Sequence, residues 1–244
     1  TTPMVSVGMP VFNGERTIRM ALESVLAQTH ENLEVLVYNN GSTDGTEAIV
    51  LDFERNDPRV KYRAGKANLG PSHSFSETFR MSSGPYFMWL ADDDELESSF
   101  VERGVDLLES DPDIGVSAPV VTAYLEGHED PVYEVRFQGF EPDVSEFTRL
   151  VRSIRRLPIT CLYGLFRSEV LRTSGLLTPV YMADVALMQE IALRTAIICN
   201  TEQQLRYNMR KEWRTSAEEL SMFSEGGLQR WSRIPALLLL RERV

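Results

Sequence analysis

Met4-Val5-Ser6-Val7-Gly8-Met9, then Ile18, Ala21, Leu22, Val25 and Leu26 at helical spacing, then Leu33-Glu34-Val35-Leu36-Val37-Tyr38, form the stretch whose reading decides the fold. Two short apolar runs separated by one amphipathic stripe are the pattern of a strand, a covering helix and a second strand. The rhythm continues along the chain. Residues 60–63, 86–90 and 114–118 read as further strands. Asp44-Gly45-Thr46-Glu47 has capping-box spacing and predicts a helix that runs to about residue 55, where Asn56-Asp57-Pro58 stops it. Helices are also expected over residues 72–81 and 99–108. The repeated unit predicts an α/β fold with a mostly parallel sheet flanked by helices. Pro119, Gly127, Pro131, Gly139 and Pro142 interrupt the next stretch, which reads as a hairpin or flexible excursion. From residue 143 the pattern is mostly helical, with strand-like runs at 159–166 and 196–200.

Composition narrows the function classes. The 244 residues suit one domain, and 43% hydrophobic with 25% charged residues is the balance of a globule with a sizeable core. A formal net charge of -11 argues against a general nucleic-acid binder, which needs basic surface. A diphosphate bound by so acidic a chain would favour a divalent cation that brings its own positive charge. Cys161 and Cys199 lie in apolar surroundings without metal-ligand spacing and read as buried thiols. No leader pattern and no apolar run of about 20 residues is visible, so a soluble, cytoplasmic setting is expected.

In open α/β sheets ligands collect beyond the carboxyl ends of the strands. Three such ends are polar here: Pro10-Val11-Phe12-Asn13-Gly14-Glu15, Asn39-Asn40-Gly41-Ser42-Thr43-Asp44, and Asp92-Asp93-Asp94-Glu95. Four consecutive acids repel one another unless a cation or hydrogen bonds compensate, and Mg²⁺ or Mn²⁺ takes such oxygens together with phosphates and water. The alternative is an acidic helix-capping turn.

These segments, with Asn68-Leu69-Gly70-Pro71, resemble family 2 glycosyltransferases of the GT-A fold in residues, order and spacing. The likeness covers residues 3–120 strongly, and more loosely a second half with Tyr163-Gly164-Leu165-Phe166-Arg167-Ser168-Glu169-Val170-Leu171 and Asp184. It implies a GT-A, Rossmann-like domain over residues 1–215, split into a nucleotide-binding half (1–120) and an acceptor half (121–215), with a helical C-terminal extension over 216–244. By the same resemblance Pro10, Val11, Phe12 and Glu15 cradle the nucleoside, Asn39 meets the base, Asn68 belongs to the nucleotide site and Asp92 contacts the ribose. Asp93 is then the ligand to Mn²⁺ or Mg²⁺, supported by Asp94. Asp184 is the implied general base and Arg210 the implied phosphate contact, with Glu190 as a reserve base.

The implied activity is transfer of a sugar from a nucleotide-diphosphate donor, UDP-linked by expectation, to a hydroxyl acceptor that is a saccharide, lipid-linked or other, by an inverting displacement in cell-surface polysaccharide or glycoconjugate synthesis. Two departures stand out. Asn39 and Asn40 replace the family's more usual acids, and Ser74-Phe75-Ser76 stands where many relatives carry an Arg-Asn pair, so Lys66, Arg155, Arg156 or Arg210 would have to supply a phosphate-facing cation. Asp184 also reads as a helix N-cap. Among the histidines, His73 is the one placed to face a donor. Residues 228–244, with Arg230, Arg233, Arg241 and Arg243 around apolar residues, read either as a helix docked on the core or as a peripheral membrane contact or dimer contact, at the inner face of the membrane. A nucleotidyltransferase or a dinucleotide oxidoreductase would need a Gly-rich phosphate loop that Pro10 to Glu15 lacks. A non-catalytic nucleotide-sugar binding domain of the same fold is the remaining alternative.

Overall fold

Every residue of Val5–Val11 (β1) and of Leu33–Asn39 (β2) is buried, the mark of strands covered on both faces. The computed structural model describes residues 2–179 and 182–209, leaving aside the side chains of Leu150, Arg155 and Arg156. Ile18–Leu26 (α1) buries Ile18, Ala21, Leu22 and Val25, the stripe read from the sequence. Thr46–Asn56 (α2), Val60–Ala64 (β3), Pro71–Met81 (α3) and Tyr86–Trp89 (β4) complete a parallel half-sheet in which β1 lies between β2 and β4. Glu95–Leu96 (β5), Phe100–Ser110 (α4), Ile114–Leu125 (β6) and Pro131–Val135 (β7) follow, and β6 with β7 is the expected hairpin. Then come Glu146–Arg156 (α5), Leu165–Arg167 (β8), Ser168–Arg172 (α6), Ala183–Arg194 (α7) and Ala196–Met209 (β9). The sheet order is β3-β2-β1-β4-β8-β6-β9-β5, with β7 on β6. Because β8 runs antiparallel to both β4 and β6, the sheet is mixed.

Three readings need correction. Residues 159–166 are not one strand: Ile159–Tyr163 form a 3-10 turn after Pro158, and β8 starts only past Gly164, where a Cβ would come within 2.6 Å of the Ser117 carbonyl. The strand expected at 196–200 runs on to Met209, because it pairs along nearly the whole length of β6. Glu47 does not close a capping box. The backbone N–H of Gly45 instead donates to Glu15 Oε2 at 2.9 Å, so a residue thirty positions earlier caps α2. The helical extension over 216–244 and the boundary at residue 215 lie outside the described residues.

Two apolar layers lie on the faces of the sheet. Val5, Val7, Met9 and Val11 alternate toward α1 and α4, whereas Phe87 and Trp89 face α3 and α7. Trp89 packs edge-on to Phe87 and Phe166 with centroids 4.9 and 5.7 Å away, and its indole N–H donates to the Phe75 carbonyl at 2.9 Å.

Glu34 is a buried charge of this framework. Burial alone would raise its pKa, but Lys61 Nζ at 2.5 Å, the Ser6 hydroxyl at 2.6 Å, and the N–H and hydroxyl of Ser83 outweigh it and hold the carboxyl at about 2. A folded pKa below the unfolded value of 4.5 means that the stabilisation is present above pH 4.5 and is lost as the pH falls toward 2. Glu34→Gln is expected to lower unfolding free energy by about 3 kcal/mol at pH 7 and to flatten its pH dependence between pH 5 and 2. Urea titrations of both proteins across that range check this; parallel curves would contradict it.

Candidate active site

Since β1, β2 and β4 run parallel, their carboxyl ends open on one edge, and the three polar segments meet there. Beyond β1 the chain turns at Asn13, whose φ of 54° is left-handed, a conformation that Asn tolerates better than most residues. Asn13 Oδ1 accepts from Thr43 N–H at 2.9 Å, the Gly14 N–H donates to Thr46 Oγ1 at 2.9 Å, and the Glu15 N–H donates to Asp44 Oδ2 at 3.1 Å. The loops after β1 and β2 are thus laced together. Gly14 is required by close approach: a Cβ there would lie 2.3 Å from Asp92 Oδ2. Thr17 Oγ1 donates to the same Asp92 oxygen at 3.3 Å. Pro10 and Val11 are buried, and Phe12 stands 39% exposed on the rim of the edge.

Of the two asparagines that stand where the family more often has acids, Asn40 makes contacts that a carboxylate cannot. Asn39 accepts from Ser42 N–H at 2.8 Å and donates to the Tyr62 hydroxyl at 2.9 Å. Asn40 donates to Asn68 Oδ1 at 2.9 Å and to the Gly70 carbonyl at 3.1 Å, while accepting from Leu69 N–H at 3.1 Å. An amide both donates and accepts, and an ionised carboxylate only accepts. Asn68 is therefore held at the edge by Asn40. Ser74 and Ser76 are buried hydroxyls bonded to the Pro71 and Leu177 carbonyls, and Lys66 is exposed. His73 Nε2 meets the Tyr38 hydroxyl at 3.1 Å.

The acids after β4 divide by burial. Asp92 and Asp93 are partly exposed, whereas Asp94 is fully buried. Asp94 Oδ1 accepts from the Asn208 backbone N–H at 2.9 Å, and its Oδ2 has no hydrogen-bond partner. Burial, then the neighbouring charge of Asp93, pushes the Asp94 carboxyl well above the usual carboxylate range; the Asn208 N–H opposes this, and Asp92 and Glu95 add to it. The Asn208 amide also donates to the Asp93 carbonyl at 2.9 Å and to Glu95 Oε1 at 3.2 Å, so β9 closes the underside of the cluster. Arg206 Nε lies 3.4 Å from Glu95, and its guanidinium stacks 3.6 Å over the Tyr124 ring.

Asp184 sits in the first turn of α7, with Oδ1 accepting from Val185 N–H at 2.8 Å. It is not the N-cap: that position is Met182, in the left-handed region with φ 57°. Tyr163 ends the 3-10 turn that packs against both β4 and α7. Its phenol is held protonated far above its ordinary range, first by burial, then by the charges of Asp94, Tyr207, Asp93 and Asp184. Asp184 therefore shares one electrostatic neighbourhood with the acids after β4, although ninety residues separate them in sequence. Glu190 is engaged elsewhere, accepting from the Gly175 N–H at 3.1 Å and pairing with Arg194 at 2.6 Å. Arg210 and residues 228–244 lie outside the described residues, as do the side chains of Arg155 and Arg156. Tyr163 and Asn208 carried no role in the sequence reading. The alternating run Leu205-Arg206-Tyr207-Asn208-Met209, a strand signal, is what could have brought Asn208 to the site.

Among the described residues no three His, Cys, Asp or Glu side chains form a ready-made chelate. The donors present are hard carboxylate oxygens, one of them buried and unpartnered. This set fits a cation such as Mg²⁺ or Mn²⁺, which takes one or two protein carboxylates and completes its shell with phosphates and water.

A mixed sheet whose central parallel strands end in laced loops and an acid cluster is the architecture of GT-A nucleotide-sugar transferases. The family model described as "Glycosyl transferase family 2" matches residues 6–173, well over half of the 244-residue chain, and the chain belongs to that family. An uncharacterized glycosyltransferase of Rickettsia typhi is 36% identical over 107 residues, covering 44% of this chain and 32% of that protein. A Campylobacter jejuni protein named GalNAc(5)-diNAcBac-PP-undecaprenol beta-1,3-glucosyltransferase is 32% identical over 97 residues, covering 39% and 31% respectively. The chain thus spans about a third of the length of these relatives. Among solved structures, S. aureus TarS 1-349 in complex with UDP-GlcNAc superposes with TM-score 0.65 at 17% identity, covering 86% of this chain and 60% of that one. The mannosyltransferase PcManGT from Pyrobaculum calidifontis, in complex with GDP-Man and Mn2+, gives TM-score 0.62 at 18% identity, covering 84% and 57%. At such identities the likeness speaks for the fold. No helix among the described residues is long and apolar enough to cross a membrane.

Proposed function

We propose that this chain transfers a sugar from a UDP-linked donor to a hydroxyl acceptor by a single inverting displacement, in the assembly of a cell-surface polysaccharide or glycoconjugate at the cytoplasmic side. The observation that carries the reading is the meeting, at one edge of the sheet, of the laced loops after β1 and β2 with the acids after β4, where Asp94 is buried with one carboxylate oxygen unpartnered. The UDP-GlcNAc complex of TarS, and the undecaprenol-linked substrate in the name of the C. jejuni relative, agree with it.

Residues 1–120 act as the donor half and 121–215 as the acceptor half. Pro10, Val11, Phe12 and Glu15 form the wall of the nucleoside site, Asn39 and Asn68 its polar rim, and Asp92 its ribose contact. Asp93 is the candidate ligand to Mn²⁺ or Mg²⁺, with Asp94 beneath it. When bound, such a cation neutralises the diphosphate and makes it a better leaving group. Asp184 accepts the proton of the attacking hydroxyl, so that the acceptor oxygen gains nucleophilicity as it forms the new bond to the anomeric carbon. Arg210 is kept as the candidate phosphate contact.

A thermal-shift comparison of UDP, GDP and dTDP, each with Mn²⁺ or Mg²⁺, tests the donor assignment. At a hundredfold excess over Kd, UDP with Mn²⁺ should stabilise by about 2.7 kcal/mol, a rise in Tm on the order of 5–10 °C. A larger shift with GDP would overturn the base assignment, and no shift with any nucleotide would overturn the donor site itself.

A further inference from the structure

Both amide hydrogens of Asn208 and its amide oxygen are engaged. The hydrogens on Nδ2 go to the Asp93 carbonyl at 2.9 Å and to Glu95 Oε1 at 3.2 Å, and Oδ1 accepts from Arg206 Nε at 3.1 Å. These partners fix the amide in one orientation, because a guanidinium only donates and a carbonyl or carboxylate only accepts. The backbone N–H of Asn208 donates to Asp94 Oδ1 at 2.9 Å. One residue of β9 thus holds three of four consecutive acids that lie 113 to 115 positions earlier in the chain.

Strand pairing does not require this side chain. β9 is fixed by its register with β6, where Asn208 pairs with Tyr124, and with β5, where Arg206 pairs with Glu95 and Leu205 with Leu96. The Glu97 N–H donates to the Gln204 carbonyl at 3.1 Å and extends that ladder. Ahead of Glu95, the turn over residues 92–94 is closed by a long bond, 3.4 Å from the Asp94 N–H to the Ala91 carbonyl. What the Asn208 amide adds lies in this turn and its exit. It pins the Asp93 carbonyl, and together with Arg206, 3.4 Å from Glu95, it engages the Glu95 carboxylate on β9. At the other end of the run, Thr17 at the start of α1 donates to Asp92 Oδ2 at 3.3 Å. Asp93 is thus carried on a backbone held on either side of it. Adjacent carboxylates repel one another, and a cation that must itself order its ligands loses affinity to their conformational entropy. Groups that orient a ligand from behind therefore set metal affinity about as strongly as many direct contacts do.

We propose that Asn208 is the positioning residue of the acid cluster: by pinning the Asp93 carbonyl and engaging Asp94 and Glu95 on β9, it sets the backbone from which the Asp93 carboxylate reaches the cation on the donor diphosphate. The assignment rests on the reading of Asp93 as the cation ligand. It makes the far end of β9, a strand from the second half of the chain, part of the donor site. Asn208 itself touches neither cation nor nucleotide; it acts through Asp93.

The test is calorimetric titration of UDP into the full 244-residue chain and two variants, each with Mn²⁺ and with a chelator. Asn208→Leu keeps the bulk of the side chain and the backbone N–H to Asp94 but removes the amide, and Asn208→Ala removes the bulk as well. Because the β6 and β5 pairings remain, both variants should fold, with Tm lowered by about 2–4 °C. Both should lose most of the gain in UDP affinity that Mn²⁺ gives wild type, about tenfold, and match wild type within about twofold in the chelator. A defect that merely loosens the strand would weaken both titrations alike. Two results from the variants would overturn the proposal: the full Mn²⁺-dependent gain retained, or an equal loss with Mn²⁺ and with chelator. Failure of the metal reading is told apart from these, because it shows in wild type alone as the absence of any Mn²⁺-dependent gain, and it would remove this role for Asn208 as well.

Discussion

Asp184→Asn is expected to lower the rate of sugar transfer by about 10²- to 10⁴-fold while leaving the affinity for UDP within about twofold of wild type. Asn has the same shape and can still accept the Val185 N–H, but it cannot take up a proton. The change costs little stability, because Asp184 lies in the first turn of α7, where a negative charge contributes only about 0.3–1 kcal/mol through the helix dipole. Loss of turnover with an intact fold and intact donor binding therefore separates a proton acceptor from a helix-stabilising acid. Single-turnover transfer, with UDP binding measured alongside, decides between them. A loss below tenfold, or a parallel loss of UDP affinity, would remove Asp184 from the role of base and leave Glu190 no better, since its carboxylate is already held by Gly175 and Arg194.

Residues 1–120 were legible because their signals are local. Short apolar runs place β1, β2 and β4 in the sequence, and parallel pairing then brings the segments that follow them to one edge without further information. The rest of the chain was less legible because its signals are long-range. Residues 159–166 are apolar enough for a strand, but Pro158 and Gly164 divide them into a 3-10 turn and a short strand. Residues 201–204 are polar and announce no strand, so the alternation from Leu205 to Met209 stands apart from the run at 196–200, and the two are one strand because β6 offers a partner on both sides of the interruption. That missed extension is what delivers Asn208 to the underside of the acid cluster. The departures at Asn39 and Asn40 were visible as departures, but their reason was not. Only the folded loops show that the Asn68 side-chain oxygen and the Gly70 carbonyl need a donor at Asn40. Likewise four consecutive acids carry no sign of which is buried, and burial makes Asp94 different in kind from Asp92 and Asp93.

Under the proposed function that difference gives Asp93 and Asp94 distinct tasks. Asp93 is open enough to reach a cation shared with a diphosphate, whereas Asp94 is sealed beneath it with one oxygen unpartnered. Removing the Asp93 charge should therefore abolish the contribution of the metal to nucleotide binding and leave the contacts to base and ribose in place. The direct measurement is calorimetric titration of UDP into wild type and Asp93→Asn, each with Mn²⁺ and with a chelator. Mn²⁺ is expected to tighten UDP binding to wild type by about 10- to 100-fold, and Asp93→Asn to lose that gain while matching wild type in the chelator. Wild-type affinity for UDP that is the same with Mn²⁺ and with chelator would contradict a metal-bridged diphosphate at the tip of β4.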